Sequence, residues 1–187
     1  MFRLATKANP NTSGWNTSNV TNMAYMFYEA DEAEPDTSGW DTSNVWHMSG
    51  IFYGTQKANP NTTDWDTSNV QYMNSMFMES EVATPDTSEW DTSTVGDMGS
   101  MFRSAQKANP DTSRWNTTNL VNTIGVFKDA PLASPNTTNW VTPKLKSASQ
   151  MFYNAPNANP DTSNWTLATL ESGQTNRVID FFYESGV

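Results

Sequence analysis

A tryptophan recurs at every twenty-fifth position of this chain, in seven copies without insertion or deletion. These residues are Trp15, Trp40, Trp65, Trp90, Trp115, Trp140 and Trp165. A fixed period between about 20 and 50 residues is typical of stacked repeats, in which no single unit can bury its apolar residues alone. We therefore expect one structural unit to be stacked along the whole repeat region.

A phenylalanine keeps the same period as the tryptophan. It occupies Phe27, Phe52, Phe77, Phe102, Phe127 and Phe152. Equivalent aromatic residues in successive units can stack on one another, and each buries a large apolar area. We expect the in-register tryptophans and these phenylalanines to form the structural core.

The residues of one unit predict a short strand and a short helix. Val20, Met23, Met26, Phe27 and Ala30 have helical spacing, and a proline ends each such segment. The Thr-rich segment 12–16 favours a brief parallel strand, with the tryptophan facing inward and the first threonine facing outward. The predicted fold class is an α/β repeat solenoid, leucine-rich-repeat-like, of about seven 25-residue coils.

The repeat suggests where the domain begins and ends. Met1-Phe2 is in register with Met101-Phe102, so the chain starts in mid-repeat, and we expect it to be a fragment of a longer protein. The period fails after Trp165. We expect residues 1–166 to form the repeat domain and residues 167–187 to form a divergent C-terminal capping segment, since end repeats must cover an exposed core.

Composition excludes several function classes. The net charge is −10, which disfavours nucleic acid and anionic membranes, and cysteine is absent. No apolar run approaches the length of a membrane span, so we expect no membrane insertion. Residues 1–97 carry 14 acidic and 3 basic side chains, a net charge of −11, whereas residues 98–187 carry 6 and 7. The acidic half would attract a cationic partner or simply serve as a solvated face.

The string Trp-Asp-Thr-Ser-Asn-Val, followed by Met and Phe, occurs at Trp40–Phe52 and at Trp65–Phe77. It resembles the tryptophan-bearing repeat of BspA-type bacterial surface proteins, a variant of the leucine-rich-repeat class. The resemblance implies a curved α/β solenoid, display on the cell surface or secretion, and adhesion or protein binding. The implied partner is a protein or glycan on another cell or matrix. The family has no catalytic residues to carry over.

Two threonine columns are a candidate surface. One comprises Thr12, Thr37, Thr62, Thr87, Thr112, Thr137 and Thr162, and the other Thr17, Thr42, Thr67, Thr92, Thr117 and Thr142. An exposed array of hydroxyl and methyl groups could match a repetitive glycan or ice, which is the alternative function. The structural interpretation, which the sequence favours, is that the hydroxyls bond to turn backbone in every coil.

Metal binding and catalysis are not expected. Asp and Asn interchange in the columns after proline and after tryptophan, which suits hydrogen bonding better than a calcium site built on charge. Carboxylate pairs recur in several coils, whereas an active site should be unique. The single histidine, His47, lacks a nucleophile motif. We expect no enzyme activity, no metal and no cofactor.

Positions that vary between coils are the best binding candidates. Trp46 is the one tryptophan out of register. Aromatic and arginine residues are enriched in binding hot spots, although the same residues could be half-buried edges of the helical layer. The candidates are Trp46, His47, Tyr72, Tyr28, Tyr53, Arg103, Arg114 and Glu89.

Overall fold

The computed structural model describes residues 1–166, and in this part of the chain the 25-residue period sets the register of stacked coils. The Met23 N–H donates to the His47 carbonyl at 2.9 Å, and the Phe27 N–H donates to the Ile51 carbonyl at 2.9 Å. Each of these bonds connects residues 24 positions apart in sequence. Adjacent coils therefore run parallel and in register.

The α/β architecture predicted from the sequence is wrong. Residues 1–166 contain no helix, and their β-pairing is limited to isolated parallel bridges. These bridges connect, in succession, Asn22, His47, Tyr72, Asp97, Asn122 and Ser147. Turns build each described coil, so the leucine-rich-repeat-like arrangement of one strand and one helix per coil is absent there.

The segment predicted to be helical is a run of turns. Its N–H groups donate to two kinds of acceptor, some in the next coil and some within the same turn. Tyr25 and Phe27 donate to the next coil, whereas Tyr28 and Ala30 donate to carbonyls three residues back. Two columns of the repeat have positive φ, between 50° and 66°. Their members are Leu4, Tyr25, Glu29, Gly50, Gly54, Ser75, Glu79, Ser100, Ser104, Gly125, Asp129, Gln150 and Asn154. A left-handed residue interrupts an α-helix, so helical hydrogen bonds cannot accumulate.

The segment predicted to be a strand is also a turn. The Trp15 N–H donates to the Thr12 carbonyl at 3.1 Å, and residues 16–20 repeat the same arrangement, with Val20 donating to Thr17 at 2.8 Å. Thr12 is buried, the reverse of its predicted outward orientation, and the neighbouring Ser13 is exposed. The alternation of a strand does not apply, because a turn reverses the chain within four residues.

Stacked aromatic columns fill the interior. Phe27 and Phe52 have ring centroids 5.8 Å apart, and Trp40 and Trp65 have centroids 6.2 Å apart with nearly parallel rings. The six repeat phenylalanines and the tryptophans from Trp40 to Trp165 are buried, while Trp15 is partly buried against the same core. The inward pattern therefore places one tryptophan and one phenylalanine per coil in a continuous apolar column.

Coils also alternate in pairs. The Asn9 side chain accepts the Glu34 N–H at 3.0 Å, and Asn59 accepts the Thr84 N–H at 2.8 Å. Asn109 does the same for Ser134. The string Ala-Asn-Pro occurs in every second coil, and at 8–10, 58–60 and 108–110 its asparagine bonds to the coil that follows. The predicted capping segment, 167–187, lies outside the described residues.

Candidate functional site

The threonine columns do not form a surface. Thr12 through Thr137 in the first column, and all six in the second, are buried, and Thr162 is exposed. The Thr12 hydroxyl donates to the Asp36 carbonyl at 2.7 Å, and the Thr17 hydroxyl donates to the Asp41 carbonyl at 3.0 Å. The same bond recurs one coil later at each step. The hydroxyls connect adjacent coils at these turns, and the buried ones are not presented to a ligand.

The Asp and Asn columns form turns. The Asp36 carboxylate accepts both the backbone N–H and the hydroxyl of Ser38, at 3.1 and 2.6 Å, and these bonds hold its pKa below the ordinary value. Asn11 accepts the same two groups from Ser13. An amide oxygen performs this task as well as a carboxylate, which explains why the two residue types interchange. The described coils contain no group of three or more potential metal ligands.

Three of the predicted binding residues meet on the outer surface of adjacent coils. Trp46 and Tyr72 are 40% and 41% exposed, and their rings pack edge to face at 5.9 Å. His47 lies against both, at 5.0 Å from Trp46 and 5.3 Å from Tyr72. The parallel bridge between His47 and Tyr72 holds them in register. We call Trp46, His47 and Tyr72 the aromatic triad.

A short hydrogen-bond chain fixes the histidine of the triad. The Ser49 hydroxyl donates to the Asn74 side-chain oxygen at 2.5 Å and lies 2.9 Å from His47 Nε2. Because the single hydroxyl hydrogen goes to Asn74, Nε2 must carry a proton and donate to Ser49. Burial lowers the pKa of His47, so the ring is neutral at pH 7. Ser49 therefore orients the ring and is not activated by it as a nucleophile.

A second aromatic group adjoins the triad. Tyr28 and Tyr53 stack face to face with centroids 4.4 Å apart, and Tyr25 packs edge-on against Tyr28 at 5.9 Å. The Tyr25 ring lies over Gly50, where an added Cβ would be only 2.7 Å from it. Because Gly50 directly follows Ser49, this tyrosine group and the triad are built on the same run of turns.

Charged groups surround the tyrosine group. The Arg3 guanidinium carbon lies 5.1 Å from the Tyr28 ring centroid and 5.6 Å from that of Tyr25. Burial raises the pKa of Tyr53 to about 12, and the negative charge of Glu79 and the neighbouring Tyr28 contribute. Burial and then Glu29 raise the pKa of Tyr28 in the same sense. Both phenols are therefore neutral hydrogen-bonding groups in an acidic setting.

The remaining predicted residues lie apart from this surface. Arg103 occupies the same column as Tyr28 and Tyr53, two coils beyond Tyr53, and is half-buried. Arg114 forms an exposed ion pair with Glu89 at 2.5 Å, in the column that precedes the tryptophans. Exposed pairs of this kind contribute little to stability. Arg114 and Glu89 lie in the turns directly before the repeat tryptophans, and the structure does not bring them to the aromatic triad.

Sequence reasoning missed four contributors to the surface: Arg3, Tyr25, Ser49 and Asn74. Tyr25 could have been found from its column, which contains Gly50 and Gly125. Glycine alternating with an aromatic residue in neighbouring coils leaves room for the ring to lie over the glycine. The contributions of Arg3, Ser49 and Asn74 depend on side-chain directions and carry no such signal.

The comparisons with known proteins give a family without a function. Within the described residues, no helix is long and apolar enough to cross a bilayer. No curated protein and no solved structure matches the chain. Two overlapping segments, 1–89 and 79–176, match the family described as "Mycoplasma protein of unknown function, DUF285". Since the matches together cover far more than half of the chain, it belongs to the DUF285 family.

Proposed function

We propose that this chain is a non-enzymatic binding module that contacts a protein or glycan through the aromatic triad. The observation that carries the proposal is the exposure of Trp46 and Tyr72 against each other. The in-register tryptophans serve the core, whereas Trp46 contributes nothing to it. Exposed, clustered aromatic rings are typical of binding hot spots.

Rigidity supports the same proposal. The Ser49–Asn74 hydrogen bonds fix His47. The backbone at Trp46 is held by its N–H bond to the Thr21 carbonyl at 3.0 Å, and the Trp46 ring packs against His47 and Tyr72. A surface whose rings are already held in place loses little conformational entropy on binding. The triad is therefore suited to recognition in a way that a flexible loop would not be.

We further propose that the module acts at the cell surface or after secretion, in adhesion, as the resemblance to BspA-type repeats implies. The Trp-Asp-Thr-Ser-Asn-Val string at Trp40–Val45 supports this finer assignment. The acidic net charge argues against nucleic acid as the partner. Buried threonine hydroxyls give no support to a glycan- or ice-binding threonine surface.

A binding array tests the proposal. The labelled chain is applied to an array of extracellular-matrix proteins and glycans, alongside the double variant Trp46→Thr/Tyr72→Asn. Both replacements are residues that the first coil carries at the same places, Thr21 and Asn22, so they suit the fold. We expect the variant to lose at least tenfold in affinity for the bound species, as removal of two hot-spot rings should produce.

The matched control replaces Val121 by Ala. This residue occupies the Trp46 column three coils later and is 36% exposed. It should bind like the parent chain. Identical array patterns for the parent and the double variant, or no bound species at all, would contradict the proposal.

A further inference from the structure

A polar pair continues the aromatic triad along the coil stack. Parallel bridges connect Tyr72 to Asp97 and Asp97 to Asn122, so these side chains occupy one column in three successive coils. The Asp97 carboxylate accepts the Gly99 N–H at 2.8 Å and the Asn122 side-chain amide at 2.9 Å, both on Oδ1. An oriented carboxylate therefore lies in the coil next to the exposed Tyr72 ring.

The second carboxylate oxygen of Asp97 is available to a ligand. Within residues 1–166, Oδ2 accepts no hydrogen bond, and it is accessible to solvent. The ion pairs in this part of the chain are Lys57–Glu32 and Arg114–Glu89, so no cation forms a salt bridge with Asp97. Because two donors already hold Oδ1, Oδ2 presents a charged acceptor in a fixed direction.

A gap in the neighbouring column adjoins this carboxylate. Gly96 directly precedes Asp97 and lies between the exposed Gln71 and Val121 in its own column. Apart from its two chain neighbours, the nearest heavy atom to a Cβ added at Gly96 is the Asn119 carbonyl oxygen, 3.9 Å away. The side chains before and after Gly96 therefore bound an open space one coil wide.

An aromatic platform beside an oriented acceptor suits a sugar. The faces of a pyranose ring carry C–H groups that pack on aromatic rings, and its edge carries hydroxyls that donate to a carboxylate. Trp46 and Tyr72 supply the first kind of contact, and Asp97 and Asn122 supply the second. A stable protein interface covers about 800 Å² on each partner, with roughly 20–30 residues. Two rings and one polar pair fit a smaller amphipathic ligand better.

The charge around the site favours a neutral sugar. Residues 1–97 carry a net charge of −11, and Asp97 is itself one of the acidic residues. A uronic acid or a sulfated sugar would meet like charge at the position of the acceptor, which costs binding energy. The hydroxyls of an uncharged sugar avoid that repulsion.

We propose that the aromatic triad, together with Asp97 and Asn122, binds a neutral glycan. One sugar ring packs on Trp46 and Tyr72, and a hydroxyl of the glycan donates to Asp97 Oδ2 from the space over Gly96. This inference rests on the proposed binding function and specifies the chemical class of its ligand.

Affinity gel electrophoresis tests the site. The folded chain migrates through gels that contain a neutral polysaccharide built from glucose, galactose, mannose, xylose or N-acetylglucosamine, or the uronic-acid polymer alginate. We expect at least one neutral polysaccharide to slow the chain relative to a gel without polysaccharide, and alginate to leave its mobility unchanged. The dependence of mobility on polysaccharide concentration gives Kd.

The variant Asp97→Asn tests the free oxygen. Asparagine occupies the same column at Asn22 and Asn122, so it suits the fold. The amide keeps one oxygen for the Gly99 N–H but replaces the second acceptor by a donor. We expect Kd for the neutral polysaccharide to rise about tenfold, which is the effect of losing a hydrogen bond to a charged group.

The matched control is Asp91→Asn, which removes the same charge from an exposed turn position. Asparagine occurs in that column at Asn16 and Asn116. This control should change Kd by less than about twofold, because a distant surface charge does not act on an uncharged ligand. Equal weakening by Asp97→Asn and Asp91→Asn would overturn the site.

A third variant, Gly96→Val, fills the gap. Valine occupies the next place in the column, at Val121, and Gly96 has no positive φ, so the fold should be kept. We expect Kd to rise at least about tenfold, because the valine would clash with a bound sugar. Melting curves verify that each variant is folded. Unchanged retardation of Gly96→Val or of Asp97→Asn would refute the placement of the glycan.

The outcomes separate this inference from the proposed function. If no neutral polysaccharide slows the chain, or if alginate slows it more than any of them, the glycan site is refuted. The binding function then stands if a matrix protein on the array binds the parent chain and loses the Trp46→Thr/Tyr72→Asn variant. If that variant matches the parent both on the array and in the gels, both proposals fail.

Discussion

At the scale of single residues, hydrogen bonds from buried threonine hydroxyls join one coil to the next. Thr87 is 1% exposed, and its hydroxyl donates to the Asp111 carbonyl at 2.7 Å. Thr87→Val keeps the shape of the side chain and removes the donor. We expect a loss of about 1 kcal/mol in the free energy of unfolding, since the part-buried hydrogen bond to the Asp111 carbonyl would be lost. Urea denaturation of the two chains measures the difference.

The control at this scale is Thr63→Val. Thr63 follows the buried Thr62 directly but is exposed. Its substitution should change stability by no more than about 0.5 kcal/mol. Equal effects of the two substitutions would mean that the buried hydroxyl has no special role between coils.

At the scale of the element, the left-handed positions explain why the coil is made of turns. Gly125 has φ +60°, and an added Cβ would meet only ordinary contacts, the nearest 3.5 Å away. Gly125→Ala should therefore destabilise through backbone strain alone, by about 1–2 kcal/mol. Gly14 has open space around its Cβ position and no positive φ, so Gly14→Ala should be neutral or stabilising by up to about 1 kcal/mol. Thermal melting distinguishes the two, and a stabilising Gly125→Ala would contradict the left-handed assignment.

The same element marks the limit of prediction from the sequence. Met23, Met26, Phe27 and Ala30 all face inward, as the helical spacing requires. A run of turns can place the same residues inward, so hydrophobic spacing does not distinguish it from a helix. Glycine is the clearest sequence sign of a positive φ, and most coils carry other residues at these places, such as Tyr25. In this segment the direction of these side chains was therefore predictable, and the path of the backbone was not.

The candidate site shows a related limit. Trp46 and Tyr72 stand out because they depart from their columns, and parallel stacking in register then brings adjacent columns together. The position of Arg3 over the tyrosines follows from side-chain conformations of neighbouring coils. No spacing rule contains that information. Departures from a repeat can be found from the sequence, but their contacts require coordinates.

At the scale of the whole molecule, an unbroken 25-residue period makes the coil the unit of stability. In a stack of repeats, each unit contacts only its neighbours, and stability is close to a sum of unit and interface terms. Removing residues 76–100 joins Ser75 to Met101 and keeps every column in register, because the deleted segment is one full period. The buried tryptophan and phenylalanine columns would each lose one member and stay continuous.

We expect this deletion to fold with a cooperative but lower thermal transition, and with a urea m-value reduced in proportion to the surface no longer buried. Deleting residues 76–99 removes one residue fewer and shifts all later columns by one place, which turns buried positions such as Phe102 and Thr112 out of register. That chain should lose the near-UV circular dichroism of its packed aromatic residues in the later coils. If both deletions melted alike, the ladder from coil to coil could not be what holds the molecule together, because only the in-register deletion preserves its hydrogen bonds.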